Sequence, residues 1–328
     1  MKEAVVNTEQ CAEVAKALAR LRIRDSFYER EFISLKVEPE TKARMYLFSA
    51  AICHQTHSLQ DKDLKGWEYM EKVFTELGKA RSELIDPNNL TRHQEQIVGW
   101  LKMAFTNEKG DCTLDLLEER ALMMNELAKW LKEQHGAEVV NVLEETEGYL
   151  LNKGKGLYEL LGETRAFADP LRKKSTVFLK HLLDARLYKV RDEENIVPGI
   201  DYHVQRVLLR MGCVEIEDEE LKERLWNKEP LDSDSEIRNA CVEAIRQIAQ
   251  KSGKELLQVN DFLWPLGRSC CHETTLCQNR KCRRKPCTFQ KTVEIKVHER
   301  CAFEAVCKGS TEQNYRAYWQ PIVKTDFY

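Results

Sequence analysis

The sequence contains no hydrophobic stretch that approaches the roughly 20 consecutive apolar residues of a membrane-spanning helix. Residues 1–7 include no apolar core of the kind found in signal peptides. No segment alternates apolar and polar side chains convincingly, and no repeat or low-complexity tract is present. These absences predict a cytoplasmic, intracellular protein with no membrane partner and little β-sheet.

The composition describes a chain able to bury a sizeable core. It has 328 residues, of which 42% are hydrophobic and 32% charged. The net charge of −3 argues against a uniformly basic surface for nucleic acid, but it permits local basic patches. Inside a cell the twelve cysteines should be reduced thiols or metal ligands. Five of them sit at apolar helical positions and are predicted to be ordinary buried thiols: Cys11, Cys53, Cys112, Cys213 and Cys241.

Helical periodicity dominates the chain, because apolar residues recur at intervals of three and four. The predicted helices are 9–23, 41–54, 63–78, 91–105, 114–134, 138–151, 156–166, 174–188, 201–211, 235–251 and 255–264. Residues 292–297 are the one short extended candidate. The fold class is therefore predicted to be all-α, with an irregular cysteine-rich loop near the end.

That loop carries the strongest functional signal in the sequence. Four cysteines follow Gly267-Arg268, with five, four and four residues between successive members: Cys271, Cys277, Cys282 and Cys287. At this spacing their thiolates can converge on a metal. Basic residues between them suggest that the loop faces an anionic polymer: Arg280, Lys281, Arg283 and Arg284. Cys301 and Cys307 lie beyond the loop, and we expect buried thiols there, since two ligands do not make a site.

A second informative segment begins with a Pro-Gly turn at residues 198–199 and continues as Asp201-x-His203-Val-x-Arg206-Val-x-x-Arg210-x-Gly. Asp201 stands at the start of an amphipathic helix. Its carboxylate is predicted to cap that helix by accepting backbone N–H bonds, which explains the residue structurally.

This segment resembles the signature of the helix-hairpin-helix DNA glycosylases, and the cysteine loop follows about seventy residues later, as in endonuclease III and its adenine-excising relatives. The resemblance covers residues 43–290 and implies a two-lobed helix-hairpin-helix fold. In those relatives a similar Gly-Arg precedes four cysteines that hold a [4Fe–4S] cluster. Matching their Gly-Arg-x-x-Cys spacing selects Cys271 over Cys270 as the first ligand.

The resemblance also implies catalytic residues. The carboxylate equivalent to Asp201 would stabilise positive charge on the sugar as a base departs. Members with lyase activity add a lysine that forms a Schiff base. Residues 174–178 read Lys-Ser-Thr-Val-Phe and resemble a segment of archaeal 8-oxoguanine glycosylases, so that Lys174 is the candidate nucleophile, with Lys173 or a mere phosphate contact as alternatives.

Five residues take further roles from the same comparison. Residues 50–58 resemble a helix end whose glutamine fills the gap left by an extruded base, which makes Gln55 the wedge. His54 and His57 would line the base pocket, or else cap a polar helix end. Arg172 and Lys173 would contact phosphate by side chain.

The sequence departs from the family at two places. The glycine-rich hairpin is replaced by residues 167–172, Phe-Ala-Asp-Pro-Leu-Arg, which puts a backbone phosphate cradle in doubt. The cysteine spacing differs from the family's, so that zinc competes with the iron–sulfur cluster as the bound metal.

Together these features predict a monomeric DNA N-glycosylase, with or without abasic-site lyase activity, acting on an extruded base in duplex DNA. The expected parts are an N-terminal extension (1–40), a helical body (41–265), the cysteine loop (266–290) and a C-terminal extension (291–328). The alternatives are an inactive nucleic-acid-binding protein of the same fold and a nucleosidase that acts on a modified nucleoside or RNA.

Overall fold

The computed structural model describes residues 3–282, 284 and 286–328, and helices make up 57% of the structure. The α-helices in chain order are α1 (Thr8–Ala19), α2 (Asp25–Tyr28), α3 (Glu31–Ser34), α4 (Pro39–Ala51), α5 (Trp67–Lys79), α6 (Pro87–Arg92), α7 (Ile97–Ala104), α8 (Leu117–His135), α9 (Val139–Glu145), α10 (Leu157–Gly162), α11 (Lys173–Asp184), α12 (Tyr202–Met211), α13 (Glu219–Asn227), α14 (Ser235–Ser252), α15 (Leu256–Pro265), α16 (Leu276–Asn279), α17 (Thr288–Thr292), α18 (Lys308–Thr311) and α19 (Gln313–Ala317). A π-helical turn, Leu266–Cys270, follows α15 directly.

The few strands are two or three residues long. They are β1 (Ala4–Val6), β2 (Gln60–Asp61), β3 (Leu64–Lys65) and β4 (Val214–Ile216). β1 pairs with β4 in antiparallel register, with Val5 opposite Glu215, and β2 pairs with β3. The predominantly helical character predicted from the sequence is therefore confirmed.

The chain divides into two compact units. Unit 1 combines Met1–Phe27 with Val197–Lys324, and unit 2 combines Tyr28–Ile196 with Thr325–Tyr328. Both terminal segments thus join units formed mainly by other parts of the chain, whereas the sequence suggested extensions at the two ends.

The core of unit 1 forms where α1 packs against α14. The side chain of Asn7 caps α1 by accepting the N–H of Gln10 at 2.9 Å. Four α1 residues at helical spacing are completely buried: Cys11, Val14, Ala15 and Leu18. Of the five cysteines predicted to be buried thiols, Cys112 alone is half-buried and the other four are buried.

The core of unit 2 surrounds α4, which packs against α5, α8, α9 and α11. Almost every α4 residue from Met45 to Ala51 is fully buried, so this helix is the centre of its unit rather than an amphipathic surface helix. One predicted helix proved to be two. Residues 91–105 break at His93, where the backbone leaves the helical region and α6 ends before α7 begins.

Close packing inside unit 1 explains Gly267. A Cβ atom at this position would lie 2.5 Å from the carbonyl oxygen of His203 and 2.9 Å from Cγ2 of Val207, both in α12. The π-helical turn therefore approaches α12 so closely that it leaves no room for a side chain at residue 267.

Replacing Gly267 by alanine should lower the free energy of unfolding by about 1–3 kcal/mol, because backbone atoms must move to relieve the overlap. Gly99 in α7 provides a matched control, since a Cβ there would meet nothing within 4 Å. Gly99→Ala should be neutral or stabilising by up to about 1 kcal/mol. Urea unfolding of both variants measures the difference, and equal midpoints would contradict the packing argument.

Candidate metal centre and a buried lysine site

Four side chains of unit 1 converge as a candidate metal centre. The ligand atoms of Cys270, Cys282, Cys287 and His298 all lie within 4.8 Å of one another. Cys270 Sγ lies 3.5 Å from Cys287 Sγ and 3.7 Å from His298 Nε2, and His298 Nε2 lies 3.0 Å from Cys287 Sγ. These residues are therefore positioned to bind a metal ion.

The local structure explains how the first and third of these residues meet. Cys270 ends the π-helical turn, and Cys287 immediately precedes α17. The hydroxyl of Ser269 connects the two segments, because it lies 3.4 Å from Cys287 Sγ and accepts the N–H of Phe289 at 3.2 Å. Hydrogen bonds from Cys270 and Cys282 hold the pKa of the Cys287 thiol well below its usual range. Cys287 is thus the thiol most readily deprotonated, which is the form that binds metals.

This group shares only Cys282 and Cys287 with the ligand set predicted from the sequence. Cys271 and Cys277 are absent from it, and Cys270 and His298 take part instead. The Gly-Arg-x-x-Cys spacing selected Cys271 over Cys270 as the first ligand, whereas this group contains Cys270. The spacing gave no indication of the histidine. Three cysteines and a histidine are a common zinc-binding set, so a search for His298 beyond the loop would have found the fourth ligand.

Cys271 is instead held by two buried arginines of α12. Arg206 Nε donates to the carbonyl of Cys271 at 3.1 Å, and Arg210 NH1 donates to the carbonyl of His272 at 2.7 Å. Arg210 NH1 also lies 3.7 Å from Cys271 Sγ. The ring of Trp319 covers both guanidinium groups, with its centroid 4.7 Å from that of Arg206. The arginines of the Asp201 segment therefore brace the cysteine loop.

The basic residues of the loop have different environments. Arg280 forms a 2.7 Å ion pair with Glu304, and Arg284 donates to the carbonyl of Arg268 at 2.9 Å. Lys281 is exposed, and Arg283 lies outside the described residues. Of the four predicted DNA contacts in this loop, two thus have partners within unit 1.

Asp201 caps α12, as its position in the sequence predicted. Its Oδ1 atom accepts the N–H groups of His203 at 2.9 Å and Val204 at 3.0 Å. The side chain is buried, with 6% of its surface exposed. Capping therefore accounts for the position of this carboxylate.

Unit 2 contains a group of buried cations around His54. Lys174 and Arg120 are completely buried, as is His54 itself. Lys174 Nζ donates to the carbonyl of Ala51 at 2.7 Å and lies 3.3 Å from His54 Nδ1. Arg120 donates to the carbonyl of Ile52 and pairs with Asp115 at 2.7 Å. The end of α4 thus supplies the carbonyl oxygens that accept from both cations.

The histidine in this group is neutral. Burial and the nearby positive charges of Lys174 and Arg120 hold the pKa of His54 far below its usual range. Its Nε2 lies 3.1 Å from a carboxylate oxygen of Glu119 and donates to it, which leaves the lone pair of Nδ1 to accept from Lys174. The sequence suggested that His54 and His57 line a base pocket. His54 is buried and therefore does not line an open pocket, while His57 is exposed.

Burial also changes the acidity of Lys174. It lowers the pKa of this amine to about 8, and the positive charge of Lys173 acts in the same direction. At pH 7.5 about a quarter of the amine would then be neutral, whereas an ordinary lysine is almost entirely protonated. A depressed pKa is what a lysine nucleophile requires.

The turn before α11 differs from a phosphate-binding hairpin. The carboxylate of Asp169 accepts the N–H groups of Leu171 at 3.0 Å and Lys173 at 2.8 Å. These N–H groups are therefore engaged and do not form a backbone cradle for phosphate. The guanidinium of Arg172 lies over the ring of Tyr158 at 5.1 Å, and Lys173 Nζ donates to Cys53 Sγ at 3.2 Å.

Gln55, the predicted wedge, has an unusual backbone conformation. Its φ of 42° is in the left-handed region, and its N–H donates to the carbonyl of Tyr328 at 3.2 Å. The side chain is half-buried. A non-glycine residue with positive φ is uncommon and is found where surrounding contacts hold it in place.

Comparison of the chain with models of known families and with curated protein sequences found no match. Among the described residues, no helix is both long enough and apolar enough to cross a membrane.

Removal of one ligand should abolish tight metal binding by the group of Cys270, Cys282, Cys287 and His298. We expect His298→Gln to weaken metal binding by more than about 100-fold, because loss of a ligand should cost more than loss of a residue that only contacts a ligand. His272→Gln serves as the control, since this exposed histidine is not part of the group. Metal content after dialysis against a chelator is the measurement. Equal retention by both variants would show that His298 is not a ligand.

Proposed function

We propose that this protein is a DNA N-glycosylase with abasic-site lyase activity, in which Lys174 is the nucleophile. The observation that carries the proposal is the amine of Lys174, which is completely buried, has a pKa lowered to about 8 and lies 3.3 Å from a neutral histidine. The resemblance of residues 174–178 to archaeal 8-oxoguanine glycosylases gives that amine a substrate class.

In the proposed reaction the neutral amine attacks C1′ of the sugar, and the damaged base leaves with the electron pair of the glycosidic bond and takes up a proton. The nitrogen loses a proton, and the sugar ring opens as its oxygen is protonated, which produces the Schiff base. The lone pair of His54 Nδ1 accepts a hydrogen bond from the amine and orients it, while the lowered pKa of His54 makes this imidazole too weak a base to take the proton. Because Lys174 is fully buried, the structure around it must open locally before a nucleotide can reach it.

Borohydride should trap a covalent adduct between the wild-type protein and duplex DNA with an abasic site. Lys174→Met removes the amine but retains an unbranched side chain, so it should form no adduct. Lys180→Met is the matched control, since Lys180 is on the same helix but is paired with Asp184 at 2.6 Å. Trapping should also increase as the pH rises through about 8, because the neutral amine is the nucleophile.

Two results would reject Lys174 as the nucleophile. One is the absence of any adduct with wild-type protein, and the other is an adduct that Lys174→Met leaves unchanged. The first result fits either a glycosylase without lyase activity or a protein that binds nucleic acid without chemistry, and release of a base separates these two. In both, the hydrogen bond from Lys174 to the carbonyl of Ala51 gives the buried amine a structural role.

For Asp201, which belongs to unit 1, we propose independently of Lys174 the role that the resemblance assigns, namely stabilisation of positive charge on the sugar. Asp201→Asn distinguishes this role from helix capping, because asparagine caps a helix about as well as aspartate. The variant should retain its stability within about 1 kcal/mol and lose base release by a factor on the order of 100.

Single-turnover assays on duplexes that each carry one oxidised, alkylated or deaminated base measure the effect of Asp201→Asn, and urea unfolding measures its stability. Asp201→Ala is the companion variant, which should lose both the cap and the charge. Unchanged base release by Asp201→Asn would leave Asp201 with capping alone.

The proposed partner is duplex DNA, held by side chains rather than by a backbone cradle. Arg172, Lys173 and exposed Lys281 are the proposed phosphate contacts, since Asp169 already engages the N–H groups of its turn. Such contacts imply binding that weakens steeply as salt is added. A nucleosidase acting on nucleosides alone would show little dependence on salt.

For the group of Cys270, Cys282, Cys287 and His298 we propose zinc. A tetrahedral zinc ion with sulfur ligands at 2.3 Å requires ligand atoms about 3.5–3.8 Å apart, close to the 3.5 and 3.7 Å found around Cys270. An iron–sulfur cluster places iron and sulfide between its cysteines and needs them further apart. The bound ion is structural in this proposal, because four protein ligands leave no position for a substrate.

A further inference from the structure

Four cysteines that do not belong to the group of Cys270, Cys282, Cys287 and His298 are themselves close together. Cys271, Cys277, Cys301 and Cys307 line one cavity of about 20 Å³ in unit 1, together with Cys270 of the first group. A cavity of that size has room for at least one water-sized occupant, since one water needs about 10–15 Å³ by the same measure. None of the four is in a disulfide.

We propose that Cys271, Cys277, Cys301 and Cys307 form a second, four-thiolate metal centre, distinct from the group of Cys270, Cys282, Cys287 and His298. Its cofactor is a thiophilic metal, either a zinc ion or a small iron–sulfur cluster, because soft thiolate ligands select these metals over magnesium or calcium.

The order of the ligands along the chain supports two separate centres. Cys271 and Cys277 have five residues between them, and so do Cys301 and Cys307. The second centre is thus built from two equal pairs, with Cys282, Cys287 and His298 of the first centre in the segment between them. Two centres with interleaved ligands would join segments 270–287 and 298–307 at two points.

The adjacent residues Cys270 and Cys271 show how one segment can serve both centres. Cys270 ends the π-helical turn, and Cys271 leaves it with φ −111° and ψ 51°. This change of backbone conformation directs consecutive side chains differently. Cys270 reaches Cys287 at 3.5 Å, whereas Cys271 Sγ reaches the guanidinium of Arg210.

The surroundings of the cavity suit a metal held by thiolates. Met211 and Leu266 provide apolar walls, which exclude water from such a centre. Four thiolates around a divalent ion carry a net negative charge, and Arg210 NH1 lies 3.7 Å from Cys271 Sγ to offset it. Glu304 also lines the cavity, but its carboxylate pairs with Arg280 at 2.7 Å. Cys270 lines the cavity as well, but its Sγ lies 3.5 Å from Cys287 Sγ in the first group. The proposed metal-binding atoms are therefore the four remaining sulfurs.

The two groups differ in how closely their ligand atoms approach. The ligand atoms of Cys270, Cys287 and His298 are only 3.0–3.7 Å apart, which leaves no space for a cluster between them. The second set of thiols surrounds a cavity, which leaves space for a cofactor.

The test measures zinc, iron and acid-labile sulfide in protein purified without oxygen, together with native mass spectrometry to count bound metals. We expect two centres in the wild-type protein. The double variant Cys301→Ser with Cys307→Ser should lose one centre and keep the other, and Cys282→Ser with His298→Gln should do the reverse. Cys112→Ser is the control, because this thiol lies in unit 2, outside both groups.

The two possible cofactors are distinguished in the same samples. Iron and sulfide that disappear in the Cys301/Cys307 variant identify a cluster, and a second zinc that disappears identifies a single ion. One metal per wild-type chain, or a metal content that the Cys301/Cys307 variant leaves unchanged, overturns the proposal. If that variant fails to fold, the metal count of the wild-type chain still decides.

Discussion

The convergence of Cys270, Cys282, Cys287 and His298 is the contact on which the C-terminal third of unit 1 depends. Helices α16 to α19 have only four or five residues each, too few to be stable without tertiary support. Three thiols and an imidazole within 4.8 Å of one another contribute little stabilising free energy as neutral groups, but together they can bind a metal strongly. Metal binding would supply the free energy that these short helices cannot.

The cysteine loop is also held from the other side by α12. Arg206 and Arg210 are buried cations whose N–H groups bond the carbonyls of Cys271 and His272, while Trp319 covers them. Gly267 makes this possible because the π-helical turn touches the backbone of α12. The segment that begins with Asp201 therefore supports the cysteine-rich loop.

Unit 2 contains a different kind of constraint. Lys174 and Arg120 are buried around a neutral His54, and the backbone carbonyls at the end of α4 accept hydrogen bonds from both. A charged lysine is costly in such a place, which is why its pKa falls. The same burial that would activate the amine also keeps it from solvent, so that any reaction there depends on local opening.

The sequence by itself determined the predominantly helical character, the capping role of Asp201 and the presence of candidate metal ligands near the end of the chain. Periodicity and caps are local, so α12 and α14 lie within a residue or two of their predicted bounds. Only the tertiary structure decided which ligands meet. Cys270 and His298 are 28 residues apart, and the path of the backbone brings both of them to Cys282 and Cys287. Spacing along the sequence cannot specify that path. Likewise, burial of Lys174 and His54 arises from helices distant in sequence, because desolvation depends on all the chain that surrounds a group.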